Sequence, residues 1–240
     1  MTNAAASIAA KRASASPGWS RQVLAVFGKD LSIELATGEV VVTSGFFALL
    51  VVVMASLSFH GGSVPGRNVA AGAIWLSVAF AAVLALGKAW QRERDEAALD
   101  GLLVAPLSRS AIFAGKALGV CGFLVAVQVV VFPVALLLFS IDAELLGPAF
   151  VIGLVATPGI AASGTLFGAM TVRTGARDLM LAVVLFPLLS PTLLAAVAAT
   201  RELLGGVPLA ELWDYLKLMG VFDVVFLAGG LGMFGTLVER

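Results

Sequence analysis

Six stretches of this chain, at about residues 40–59, 69–89, 117–140, 146–171, 179–200 and 218–238, run long and apolar. None carries a charge through its middle except the last, where Asp223 sits about one turn inside. Crossing a bilayer as an α-helix takes about 20 apolar residues. A spanning strand would instead read as segments of about ten residues alternating in polarity. Hydrocarbon offers no water to the backbone, so continuous apolar runs of this length must be helices that satisfy their own peptide groups. Of the 240 residues, 60% are hydrophobic and 12% charged, whereas a soluble domain carries about 25% charge. The expected fold class is an all-α membrane protein with six transmembrane helices.

Several function classes drop out. Net charge is zero, so there is no basic footprint for nucleic acid. The single cysteine, Cys121, precludes an intrachain disulfide framework, a zinc ribbon or a C-x-x-C redox motif. No phosphate-binding G-x-x-x-x-G-K-[ST] loop exists, because Gly28-Lys29, Gly87-Lys88 and Gly115-Lys116 each lack the upstream glycine and the following hydroxyl. Any ATPase must therefore be another chain. Ala162-Ser163-Gly164 has the look of an intramembrane serine-protease turn, but no histidine follows position 60 to act as base. Neither a catalytic nor a metal site is expected.

Residues 1–18 are rich in Ala and Ser and hold Lys11 and Arg12, which suits a disordered tail; a transit peptide shares that bias. From 19 to 36, Val23, Leu24, Phe27, Leu31 and Leu35 recur at helical spacing with Arg21, Lys29, Asp30 and Glu34 between them. That pattern is too polar to span and suits an amphipathic interface helix. The six-span region then covers 19–240 with this helix included. Twelve of the fifteen Lys and Arg residues fall in pieces on one side of the alternating layout. The positive-inside rule therefore places both termini in the cytoplasm.

The basic residues concentrate between the second and third runs, around Gln91-Arg-Glu-Arg-Asp-Glu-Ala-Ala-Leu-Asp-Gly-Leu-Leu-Val-Ala-Pro106. Its first half, with Glu93, Arg94 and Glu96, reads as solvated on all sides. Its second half puts Leu99, Leu102 and Leu103 on one helical face, with Asp100 opposite. Gly101 permits close backbone approach, Pro106 stops the helix, and Ser108 can cap the next one. A charged, leucine-lined helix of this kind suits docking in the groove of a soluble partner. A solvated linker folded on the membrane surface fits the same residues.

The run R-E-R-D-E-A-A-L-D-G-L-L-V-A-P-L-S-R-S-A-I-F-A-G-K resembles the connection between the second and third spans of ABC-2 type permeases, most closely the CcmB family. F-x-K-D-L-x-I-E-L before the first span, F-F-A-L-L-V-V-V within it and Phe222-Asp223-Val-Val-Phe-Leu extend the resemblance over 19–240. It implies the ABC-2 permease fold and the permease subunit of a haem exporter in cytochrome c maturation, in a bacterial inner membrane. Segment 91–106 would then be the coupling element, seated in a separate CcmA-like ATPase through Glu93, Arg94, Glu96, Leu99, Gly101, Leu102, Leu103 and Pro106. The implied partners are a second copy of the chain, CcmC- and CcmD-like haem-handling subunits, a CcmE-like haem chaperone and membrane lipid. A second reading keeps the ATPase but makes the chain a scaffold whose motion releases the chaperone without transport.

Within the runs, Gly115-x-x-x-Gly119, Gly164-x-x-x-Gly168 and Gly229, Gly232 and Gly235 mark faces for close helix packing. Pro133, Pro158, Pro187 and Pro191 should kink or break spans three to five. Gln128 suits an interhelical hydrogen bond, and Asp223 suits a snorkelling residue at the membrane interface, a gate, or a partner for Arg201 or Lys217. Haem, as substrate, needs an axial ligand such as His, Met, Cys or Tyr. His60, beside Met54 at the outer end of the first span, is the one candidate, and the substrate otherwise rests on the resemblance.

Overall fold

The computed structural model of the chain describes residues 17–59, 66–95, 101, 104–174 and 178–238. Among them are seven long helices: α1 (Trp19–Thr37), α2 (Glu39–Phe59), α3 (Gly66–Asp95), α4 (Arg109–Leu138), α5 (Leu146–Thr174), α6 (Asp178–Leu204) and α7 (Trp213–Val238). Short 3-10 turns, Ala143–Leu145 and Leu209–Leu212, lead into α5 and α7. Six of the helices, α2 to α7, are long and apolar enough to cross a membrane. The fold is all-α.

Helix α3 forms the core, with 67% of its apolar window buried, whereas only 17% of that of α7 is buried. Helices α2, α4, α5 and α6 pack around α3, and α7 lies against α5. Trp75 of α3, Phe132 of α4 and Phe150 of α5 form an edge-to-face file with centroids 6.1 and 6.0 Å apart. The Trp75 indole N–H donates to Thr200 Oγ1 of α6 at 2.8 Å. Such a polar tip suits a ring whose body is otherwise buried.

The elements explain their own limits. Ser108 caps α4 as expected, its Oγ accepting from the Ala111 N–H at 3.3 Å, so the helix runs from Arg109, ahead of the apolar run that begins at 117. Gly38, in the left-handed region at φ 64°, ends α1. The Glu34 carboxylate then accepts from the first N–H groups of α2, Val40 at 3.2 Å and Val41 at 2.8 Å. The prolines do not break their helices: Pro133 lies inside α4, Pro158 inside α5, and Pro187 and Pro191 inside α6. Packing in a bundle tolerates the lost donor, because neighbouring helices and hydroxyl side chains hold the backbone.

The close approaches fall at Gly164, which faces Leu86, Gly168, which faces Trp90, and Gly230, which faces Phe113. Gly115 receives Val26 of α1. Gly229 and Gly232 meet nothing within 4 Å, so the tight face of α7 is set by Gly230 rather than by the three-residue repeat beside it. These contacts orient the bundle. One end gathers α1, the C-terminal ends of α3, α5 and α7, and the N-terminal end of α4. The opposite end holds Arg67, Asp142 and Gly206.

Candidate functional site

Helix α1 packs on α4 and touches α2 only near their junction. Its predicted apolar set divides between two environments. Val23 and Val26 are buried against α4, whereas Leu24, Leu31 and Leu35 are exposed. The polar residues Gln22, Lys29, Asp30 and Glu34 turn inward, where they find partners. In water this arrangement would be inside out. Beside hydrocarbon it is the stable choice, since a buried polar group must be paired and an exposed leucine costs nothing.

The inward charges form the most concentrated polar site among the described residues. Lys116 Nζ, about two turns into α4, contacts Glu93 Oε1 at the end of α3 and lies 2.9 Å from Asp30 Oδ2 of α1. Lys29 Nζ reaches the same Glu93 oxygen at 3.0 Å and Asp30 at 3.7 Å. The side chains of Glu93, Lys116 and Asp30 are 5%, 7% and 13% exposed. Glu93 Oε2 is buried with no hydrogen-bond partner, beside a void of about 20 Å³ lined by all four residues. Burial pushes the Glu93 carboxyl up, but the charges and hydrogen bonds of Lys116 and Lys29 outweigh it and hold the group below its ordinary value.

The site extends in two directions. Lys116 Nζ stands 5.9 Å from the centre of the Trp90 ring, a cation–π approach, and Trp90 in turn packs on Gly168 of α5. On α1, Gln22 Oε1 accepts from the Ser108 N–H at 2.7 Å, and the Trp19 indole N–H donates to Ser110 Oγ at 3.1 Å. Helix α1 is thus fastened to both roots of the segment joining α3 to α4: to Glu93 before it, and to Ser108 and Ser110 after it. Mechanically, α1 is a strap across the base of that segment.

The structure places the sequence candidates as follows. Glu93 is not solvated but 4% exposed, because α3 continues to Asp95 and carries it in under α1. Arg94 lies in the last turn of α3. Gly101 and Pro106 are exposed, and the Gly101 carbonyl accepts from the Ala105 N–H at 3.2 Å. Glu96, Leu99, Leu102, Leu103 and His60, like the tail over 1–16, lie outside the described residues. Gln128 is fully buried and donates to Thr157 Oγ1 at 2.9 Å. Asp223 packs its Oδ1 on Gly159 of α5; it does not pair with Lys217, which bonds Asp214 at 3.3 Å.

Lys29, Asp30 and Lys116 are the residues that sequence reasoning missed, having counted two of them only as markers of sidedness. One signal was present. Lys116 lies at the entrance of an apolar run, where a cation requires a partner or a route to water.

Comparison with known proteins bears on the whole chain. The sequence model of the CcmB protein family matches residues 21–235. "Heme exporter protein B" of Bradyrhizobium diazoefficiens is 25% identical over 182 residues, 76% of this chain and 82% of that protein. The protein of the same description from Rhodobacter capsulatus is 28% identical over 196 residues, covering 78% of this chain and 88% of the relative.

Proposed function

This chain belongs to the CcmB family, and from that premise we propose that it is the permease subunit of an ABC-type haem exporter serving cytochrome c maturation. It is a multi-pass membrane protein, read here as residing in the bacterial inner membrane with both termini cytoplasmic. The observation that carries the reading is the family match over 21–235, on a chain with six helices able to span a membrane.

In this reading ATP is hydrolysed by a separate CcmA-like subunit, docked on segment 91–106. Leu99, Leu102 and Leu103 seat in its groove, while Arg94 and Glu96 steer the encounter. Closure of the ATPase pushes on the segment. Because α1 is tied to Glu93 on one root and to Ser108 and Ser110 on the other, the push moves α1, α3 and α4 together instead of flexing the connection. Trp90 against Gly168 carries the displacement to α5. A second copy of the chain supplies the other half of the pathway, and CcmC-, CcmD- and CcmE-like proteins handle the haem.

Replacing Leu99 and Leu102 with Asp is expected to abolish co-purification of the ATPase, since two carboxylates would have to be desolvated in an apolar groove. Recovery of the variant with a full complement of stimulated ATPase would sink the coupling assignment. Proteoliposomes holding the complex then separate the transporter from the scaffold. ATP-dependent movement of haem supports transport; ATP-dependent release of the haem chaperone with no movement supports the scaffold.

A further inference from the structure

A groove of about 390 Å³ opens between α1, α2 and α4. That volume falls in the range of small-molecule sites, about 300–1,000 Å³. Its walls are Leu31 and Leu35 of α1 and Val42 of α2; its floor is Gly119, Gly122 and Ala126 of α4. Three observations say what fills it.

The groove is fixed, not a gap that a small hinge motion would close. Gly38 turns the chain in the left-handed region, with its N–H donating to the Glu34 carbonyl at 2.6 Å. The buried Glu34 carboxylate holds Val40 and Val41 of the next helix. Asp30 and Val26 pin α1 to α4 at Lys116 and Gly115. Helices α1 and α2 therefore diverge from a rigid corner, with the small residues Gly119, Gly122 and Ala126 beneath them and the Phe27 and Phe123 rings completing the lining.

Its depth is that of hydrocarbon. Gly119 to Ala126 lie inside the apolar helix Arg109–Leu138, beyond Lys116. At 1.5 Å per residue, they lie roughly 5–15 Å further in than the Lys116 ion cluster. Its mouth is continuous with an apolar outer surface: Leu35 is 80% and Val42 67% exposed, and Phe46 on the same side is 69% exposed.

We propose that this groove seats one acyl chain of a membrane phospholipid, wedged between α1 and α2 beside the ion cluster. The seat needs only that the chain be membrane-embedded, so it stands or falls separately from ATPase coupling and haem transport. An acyl chain there fills the void beneath α1 and holds the strap against α4.

The test reads lipid retention by native mass spectrometry on the full chain, released from micelles supplemented with dioleoyl phosphatidylethanolamine and phosphatidylglycerol. A Cβ at Gly122 would meet only the Phe27 ring, at 3.9 Å, so a larger side chain there projects into the groove without a backbone clash. Gly122→Leu is expected to lower the retained one-lipid species at least tenfold. Gly122→Ala, and Gly220→Leu at a glycine with nothing within 4 Å on α7, are expected to leave it unchanged. Val42→Trp, which caps the mouth from the exposed side, carries the test if Gly122→Leu does not fold. Equal retention in the groove variants and the native chain overturns the proposal. So does a wild-type dimer that Gly122→Leu or Val42→Trp dissociates, since the occupant would then be a second copy.

Discussion

The two ends of the bundle each carry an ion pair linking helices that are neighbours in sequence, yet the pairs differ in kind. At one end Lys116, Glu93, Asp30 and Lys29 form a network that is nearly closed to solvent on three of its four members. At the other, Arg67 at the start of α3 meets Asp142 beyond α4 at 2.6 Å, with side chains 47% and 71% exposed. Beside that pair lies an open pocket of about 540 Å³. An exposed pair contributes little, because water competes and two long side chains must be ordered. A buried network costs desolvation to form, but removing one member leaves its partners charged and unpaired. The bundle is therefore fastened at the end that holds α1 and only lightly tied at the other.

The largest break in that contrast is expected from Lys116→Met. It leaves Asp30 and Glu93 sharing Lys29 alone, and costs roughly 3–5 kcal/mol in a denaturant melt in micelles. A loss below about 1 kcal/mol would mean that the network is no stronger than a surface pair. A smaller effect, and one of defined sign, is expected from acid. The Glu93 carboxyl is held below its ordinary 4.5, so its contribution is complete above that value and disappears as pH falls through the lower folded value. Melting temperature should drop on acidification below about pH 4.5, and Glu93→Gln, less stable at neutral pH, should drop less steeply. Parallel acid profiles for the two proteins would contradict this. The smallest effect belongs to the far end, where Arg67→Ala should cost about 0–1 kcal/mol and the difference should vanish in high salt. A cost there matching that of Lys116→Met would erase the distinction between the ends.

Periodicity and length made the six spanning helices and α1 legible in the sequence, because a bilayer imposes one rule on every run of about 20 apolar residues. Ser108 as a cap was legible for the same local reason. The ion network was not. Its bonds join residues 23, 64 and 86 apart, and nothing local in a charge tells whether it faces solvent or a partner on another helix. Glu93 read as solvated because it lies among Arg92, Arg94 and Asp95, although α3 runs on and buries it. The period divided the faces of α1 correctly, with Leu31 and Leu35 turned out as an interface helix requires; that Asp30 and Glu34 turn in to protein partners was not legible. Proline in a soluble helix predicts a break, whereas the packed bundle keeps Pro133, Pro158 and Pro187 within continuous helices.

The strap across the base of segment 91–106 is tested most directly by a distance. Ser32 on α1 and Gln91 on α3 are both exposed, and each can carry a spin label after substitution by cysteine in a Cys121→Ser background. In the proposed complex with a separate ATPase, double electron–electron resonance should give the same Ser32–Gln91 separation with and without trapped ATP, because the buried network would make α1 and α3 move as one body. Lys116→Met should make that separation broaden or shift with nucleotide. A nucleotide-dependent change with the network intact, or no change when Lys116 is removed, would contradict the account.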